Sequence, residues 1–140
     1  LERKADARFV TLLVIHWQPR SGRMRMANAG AMPLLVCRGG QILKPRVEGV
    51  PLGLLDDREY EDLVFQTQPG DLVVLYSDGI EDQHNREGQH YGRGRLVRLI
   101  ERSSRKSPQA LADAVFDDLD RFAEGARTYD DQTLIILKVK

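Results

Sequence analysis

For roughly the first half of the chain the apolar residues come in short runs broken by Gly, Pro and charge. Later they shift to a spacing of three and four. Phe9-Val10-Thr11-Leu12-Leu13-Val14-Ile15 is almost continuously apolar and rich in β-branched side chains, which predicts a strand covered on both faces. Pro19 to Arg23 has turn composition, and Met24-Arg25-Met26-Ala27-Asn28-Ala29 alternates as a half-buried strand does. Gly30 interrupts it and an extended segment resumes from Pro33 to Arg38. Gly39-Gly40 then predicts a tight hairpin into Gln41-Ile42-Leu43. Gly49 to Leu55 is a loop whose apolar content predicts packing on the core. Tyr60 to Gln66 reads as another strand, and Pro69-Gly70-Asp71 as the turn launching Leu72 to Tyr76. After Asp78-Gly79 a polar loop runs through Gly94.

Helical spacing begins only then. Leu96, Leu99 and Ile100 share one face of a first helix. In a second, Ser107 caps, Pro108 occupies the first turn, Leu111, Val115, Leu119 and Phe122 form a stripe, and Gly125 ends it. Thr133 to Val139 is a closing strand. Strands, then segregated helices, then a returning strand predict an α+β fold with an antiparallel sheet and helices on one face. No repeat or linker interrupts residues 1–140, which read as a single domain.

Two acidic pieces stand at the ends of apolar runs that read as buried strands. Tyr76-Ser77-Asp78-Gly79 follows Leu72-Val73-Val74-Leu75, and Tyr129-Asp130-Asp131-Gln132-Thr133 precedes Leu134-Ile135-Ile136-Leu137. If these strands pair antiparallel, the end of one meets the start of the other and Asp78 and Asp130 converge. Like charges gathered there repel, and a hard divalent cation with its preference for oxygen ligands would relieve the repulsion. Taken singly, each piece is ordinary turn or strand-end chemistry.

Composition narrows the alternatives. Lys and Arg total 21, as do Asp and Glu, so the net charge is zero and a generic nucleic-acid binder is disfavoured. The hydrophobic fraction of 41% and charged fraction of 30% are those of a globular protein. The apolar run from Phe9 is far too short to span a bilayer, and no signal peptide is visible. Cys37, the single cysteine, reads as a small buried hydrophobe in a reducing compartment, which points to the cytoplasm. His16, His84 and His90 show no zinc spacing with Cys37, no phosphate-binding glycine loop opens a helix, and Ser77 lacks a histidine at fixed spacing. Arg93, Arg95, Arg98, Arg102 and Arg105 form a basic strip that reads as a solvated face or, less simply, as a dock for an acidic protein.

Together the segments resemble the bacterial metal-dependent Ser/Thr protein phosphatases of the type 2C fold, in particular the stage II sporulation protein E and sigma-factor-regulating phosphatases. The resemblance runs from about Arg8 to Val139. It is carried by Phe9-Val10-Thr11-Leu12, Ala27-Asn28-Ala29-Gly30 with Pro33, Pro51-Leu52-Gly53-Leu54, Pro69-Gly70-Asp71-Leu72, Tyr76-Ser77-Asp78-Gly79, Gly88 with Tyr91-Gly92, and Asp130-Asp131-Gln132-Thr133-Leu134. It implies an antiparallel β-sandwich flanked by helices, with two Mn²⁺ or Mg²⁺ ions at one end of the sheets. Asp78 and Asp130 match the family's metal-binding aspartates, and Asp131 is an adjoining ligand or support. The implied reaction is hydrolysis of phosphoserine or phosphothreonine on a regulatory protein, an anti-anti-sigma factor by subfamily. A metal-bound water is the nucleophile, so no catalytic side chain is required.

Two departures accompany the resemblance. The family's Ala-Gly-His step reads Ala29-Gly30-Ala31, and nothing before Arg8 resembles the strands that carry the metal-bridging carboxylate. The chain therefore reads as the C-terminal part of a phosphatase domain with about half the metal shell. It would be inactive alone and prone to homodimerise through an uncovered sheet edge. A non-catalytic, phosphatase-like module that binds partners is the alternative. A small-ligand sensor on a β-meander lacks the Arg or His cluster its interior would need.

Overall fold

A computed structural model describes residues 8–140. The expectation about the stretch ahead of Arg8 falls on residues 1–7, outside the described residues. The elements are β1 (Leu12–Gln18), β2 (Arg23–Ala29), β3 (Leu35–Arg38), β4 (Gln41–Leu43), β5 (Leu63–Gln66), β6 (Leu72–Tyr76), α1 (Asp78–Glu81), α2 (Gly92–Arg102), α3 (Pro108–Ala123) and β7 (Leu134–Lys138). The class is α+β with antiparallel sheets, as the element order predicts. The chain forms two compact units. One takes in the chain up to Pro33 together with Arg46–Gln66, and the other Leu34–Pro45 with Thr67–Lys140. No helix among the described residues is long and apolar enough to cross a membrane.

The first unit holds a three-stranded sheet in the order β1-β2-β5, antiparallel throughout. The alternation predicted for β2 is present: Met24, Met26 and Asn28 are buried while Arg23 and Arg25 face water. At its end Asn28 braces a turn. Its Oδ1 accepts from the Ala31 N–H at 2.8 Å and its Nδ2 donates to the Ala31 carbonyl at 3.0 Å. Gly30 holds φ +75 in that turn, and a Cβ there would lie 2.4 Å from Pro51 Cγ, so only glycine fits.

Two expectations for this unit are overturned. The strand expected from Phe9 with both faces covered is instead β1, an edge strand beginning at Leu12, and Phe9, Val10, Leu12 and Val14 are exposed. A continuous apolar run marks a strand but does not supply the layer that would cover its second face. The loop from Gly49 likewise leaves Leu52, Leu54 and Leu55 exposed. Leu52 is tied there through paired backbone hydrogen bonds with Val10.

The second unit holds a four-stranded antiparallel sheet in the order β4-β3-β6-β7, with the predicted turn at Gly39-Gly40 between β3 and β4. Leu35, Val36, Leu72 and Val74 are buried at its centre. The helical stripes are largely as predicted: Leu96, Leu99 and Ile100 on α2 and Leu111, Val115 and Leu119 on α3 are buried, while Phe122, the last residue of the predicted α3 stripe, is half-buried. Ser107 Oγ accepts the Ala110 N–H at 3.2 Å and caps α3. The helix ends one residue earlier than predicted, on Glu124, which adopts the left-handed conformation with φ 50. The run Leu134 to Leu137 is not fully buried as expected. β7 is an edge strand, and its alternate residues Ile135 and Leu137 are open.

The entrance to the unit's sheet is fixed by a half-buried pair. Asp71, 1% exposed, accepts from Arg38 Nε at 2.9 Å and from a second guanidinium nitrogen at 2.8 Å, and also from the Gln68 N–H at 2.9 Å. Burial works to raise the Asp71 pKa, but these hydrogen bonds and the Arg38 charge outweigh it and hold the carboxyl below the usual range.

Candidate functional site

The pairing of β6 with β7 decides where the acidic pieces go. Their antiparallel register ends at Tyr76 opposite Leu134 and is carried one step further by Ser77, whose N–H donates to the Thr133 carbonyl at 3.0 Å. The Ser77 hydroxyl accepts the Thr133 N–H at 2.9 Å and donates to the Asp131 carbonyl at 3.1 Å. That hydroxyl clamps two strand ends, which is a structural use and not a nucleophile's.

The residue after Asp78 reports how close the two segments come. A Cβ on Gly79 would lie 2.2 Å from the Asp131 carbonyl oxygen and 3.5 Å from the Asp130 carbonyl carbon. No side chain fits there, so the Asp-Gly pair is a close-approach device. Gln132 adds a second tie, donating to the Gly79 carbonyl at 3.2 Å and to Gln83 Oε1 at 2.8 Å. Asp78, Asp130 and Asp131 are thus brought to one end of the β6–β7 pair, and all three are exposed. Asp130 Oδ1 accepts the Asp131 N–H at 2.8 Å, which fixes its carboxylate.

The segment after Asp78 is not simply the predicted loop. Asp78–Glu81 form α1, a single turn that buries Ile80 completely. One apolar residue in a turn gives no periodicity to read. Beyond it, Asn85 organises a compact turn: its side chain accepts from the Glu87 and Gln89 N–H groups, and its backbone pairs with Gln89 and Gly88. That turn sets His84 opposite His90, with ring centroids 4.1 Å apart, and the edge of Tyr129 meets His84 at 5.7 Å. Asp130 and these three rings line one cleft. Spacing to Cys37 could not reveal them. The usable signal was a pair of histidines flanking a Gly-containing turn directly after Asp78-Gly79.

The remaining candidates resolve structurally. Among the described residues no group of three or more His, Cys, Asp or Glu is arranged to hold a metal ion. Cys37 is buried, and burial pushes its thiol pKa up, as for an inert core thiol. The basic strip is largely engaged within the molecule. Arg93 donates to Glu81 at 2.8 Å, Arg95 lies 4.6 Å over the Phe122 ring, and Arg102 is 3.7 Å from Asp118. Glu81 also accepts from the Tyr76 hydroxyl at 2.6 Å, so β6, α1 and α2 share one network.

The fold is that of type 2C phosphatase domains. It matches the SiaA-PP2C domain of Pseudomonas aeruginosa with a TM-score of 0.78 at 19% identity, over 91% of this chain and 51% of that one. It matches the phosphatase domain of SpoIIE from Bacillus subtilis with a TM-score of 0.72 at 21% identity, over 99% and 60%. The chain belongs to the stage II sporulation protein E (SpoIIE) family, whose model matches residues 1–140. Among curated relatives it is 27% identical to the phosphoserine phosphatase RsbU of Bacillus subtilis over 143 residues, covering 100% of this chain and 42% of that protein. It is 24% identical to stage II sporulation protein E of the same organism over 138 residues, covering 98% and 16%. The chain therefore spans less than half of the length of either relative.

Proposed function

We propose that this chain is the C-terminal part of a phosphatase domain whose full protein hydrolyses phosphoserine or phosphothreonine on a regulatory protein, with an anti-anti-sigma factor as the substrate. The observation that carries the proposal is the approach of the Asp78-Gly79 segment to Asp130-Asp131 in a member of the SpoIIE family. The phosphoserine phosphatase RsbU among its relatives supports the reaction class.

The donor set fits a hard cation in kind, since Asp78, Asp130 and Asp131 offer only oxygen. It fits in number only in part, because three such groups do not form a metal-holding cluster among the described residues. Mn²⁺ or Mg²⁺, two ions in the complete domain, would supply charge neutralisation and an activated water for direct attack on phosphorus. Asp78 and Asp130 would hold the ions at the strand end, and Asp131 would support them. The Ser77 clamp and the Gln132 bonds fix the spacing between the two aspartates. The P–O ester bond breaks, water supplies the new oxygen, and the serine or threonine hydroxyl leaves with a proton.

In the full-length protein, Asp78→Asn and Asp130→Asn should each lower Mn²⁺-dependent phosphate release by about 100-fold or more, equivalent to about 3 kcal/mol of barrier. Unchanged turnover in either variant removes the assignment. A second reading, a non-catalytic partner-binding module, is favoured by the incomplete donor cluster and by Ala31 in the family's histidine position. It predicts no phosphate release by the full-length wild type with either ion. Both readings place the protein in the cytoplasm, and both have the isolated segment pairing with a second copy through an open strand edge.

A further inference from the structure

We propose that His84, His90, Tyr129 and Arg86 form the docking groove for the residues flanking the phosphorylated side chain, with a preference for acidic neighbours. The inference deepens the phosphatase reading and rests on it. The rings of His84 and Tyr129 form a ridge between two clefts. The inner cleft, ≈ 280 Å³, reaches Gly79 and Asp130. The outer cleft, ≈ 320 Å³, is lined by Asn85, Arg86, Gly88 and Ala126.

The ridge is built as a ligand-facing surface is. Tyr129 is 77% exposed, far more than an aromatic ring kept for packing needs to be. Among the described residues His84 Nδ1 is buried without a hydrogen-bond partner, and the ring lies against His90 and Tyr129. Most buried polar atoms are satisfied, and those that are not tend to mark functional positions. The Asn85 side chain ties the turn that carries Arg86 from within, so the backbone from which the guanidinium projects is already fixed.

Charge sets the direction of binding. The inner cleft carries Asp82 and Asp130, where cations must sit before a phosphoryl group can enter, while the outer cleft carries Arg86. A peptide whose phosphoserine reaches Asp130 therefore lays its neighbours past the aromatic ridge toward a guanidinium. Acidic neighbours gain there and basic ones are repelled.

The test uses the full-length protein in Mg²⁺ and a fluorescein-labelled phosphoserine peptide flanked by glutamates or by lysines, read by fluorescence anisotropy. The wild type should favour the glutamate peptide by about tenfold, and Arg86→Glu should erase that preference. Tyr129→Ala should weaken both peptides by about fivefold, with the loss in hydrolysis falling on KM and not on kcat. No flank preference in the wild type, or a preference that survives Arg86→Glu, overturns the groove. If peptides turn over with flank-independent KM, the phosphatase reading stands and the groove falls. If they bind with the expected preference but release no phosphate in Mn²⁺, the groove stands and the phosphatase reading falls.

Discussion

Asp71 and Gly79 show two different ways a residue in a recognisable motif can matter. Asp71 belongs to the Pro-Gly-Asp turn, yet its carboxylate is buried in a bidentate pair with Arg38. Asp71→Asn keeps the shape but loses the charge-assisted bonds, and should cost about 1.5–3 kcal/mol in urea unfolding at pH 7. The cost stays below that of breaking a fully buried pair because the Arg38 side chain is 31% exposed and recovers some hydration. The folded Asp71 pKa is depressed, so its stabilisation is complete above the ordinary carboxylate range and is lost as pH falls through the folded value. Wild type and variant should therefore converge in stability only once the pH has fallen below the ordinary carboxylate range. Gly79→Ala acts through volume. The new methyl cannot share space with the Asp131 carbonyl, so the strand ends must part, at about 1–3 kcal/mol by thermal unfolding.

Among elements, the helices were the most legible and β1 and β7 the least. The spacing of Leu111, Val115 and Leu119 identified the buried face of α3 because a helix stripe encodes its own orientation. Leu111, fully buried, should cost about 2–5 kcal/mol as alanine, whereas Ser107→Ala removes only the cap and should cost about 1 kcal/mol. A chemical-denaturation series that ranked Ser107→Ala above Leu111→Ala would contradict this division of roles. For β1 and β7, apolar runs predicted strands correctly but misjudged cover. Both lie at sheet edges, and alternate residues on each face solvent. Strand periodicity says which residues share a face, and nothing in it says whether a further layer lies over that face. The turn α1 escaped notice for a simpler reason, having one buried apolar residue and no repeat.

At the scale of the molecule, the exposed residues of β1 and β7 have a consequence for the isolated chain. Among the described residues, Leu12 and Val14 on one edge strand, and Ile135 and Leu137 on another, present apolar side chains beside backbone groups with no strand partner on the outer side. Such edges pair with other chains unless something blocks them. The 140-residue segment studied alone should therefore show a dimer or larger species by size exclusion with light scattering, increasing with concentration. A clean monomer at high concentration would contradict it. The zero net charge offers no long-range repulsion to oppose association.

By itself the sequence determined the α+β order, the helix faces and which aspartates stand at the ends of β6 and β7, and it posed the antiparallel pairing of those two strands only as a condition. Those features follow from local spacing and from strand polarity, which a chain carries wherever it folds. Tertiary structure decided what no local pattern encodes. It turned Ser77 into a clamp and made Gly79 the point where two distant backbones touch. It stacked His84, His90 and Tyr129 into one wall, and it left apolar strands open to water. Each of these depends on which parts of the chain come together in space, and spacing along the chain does not carry that information.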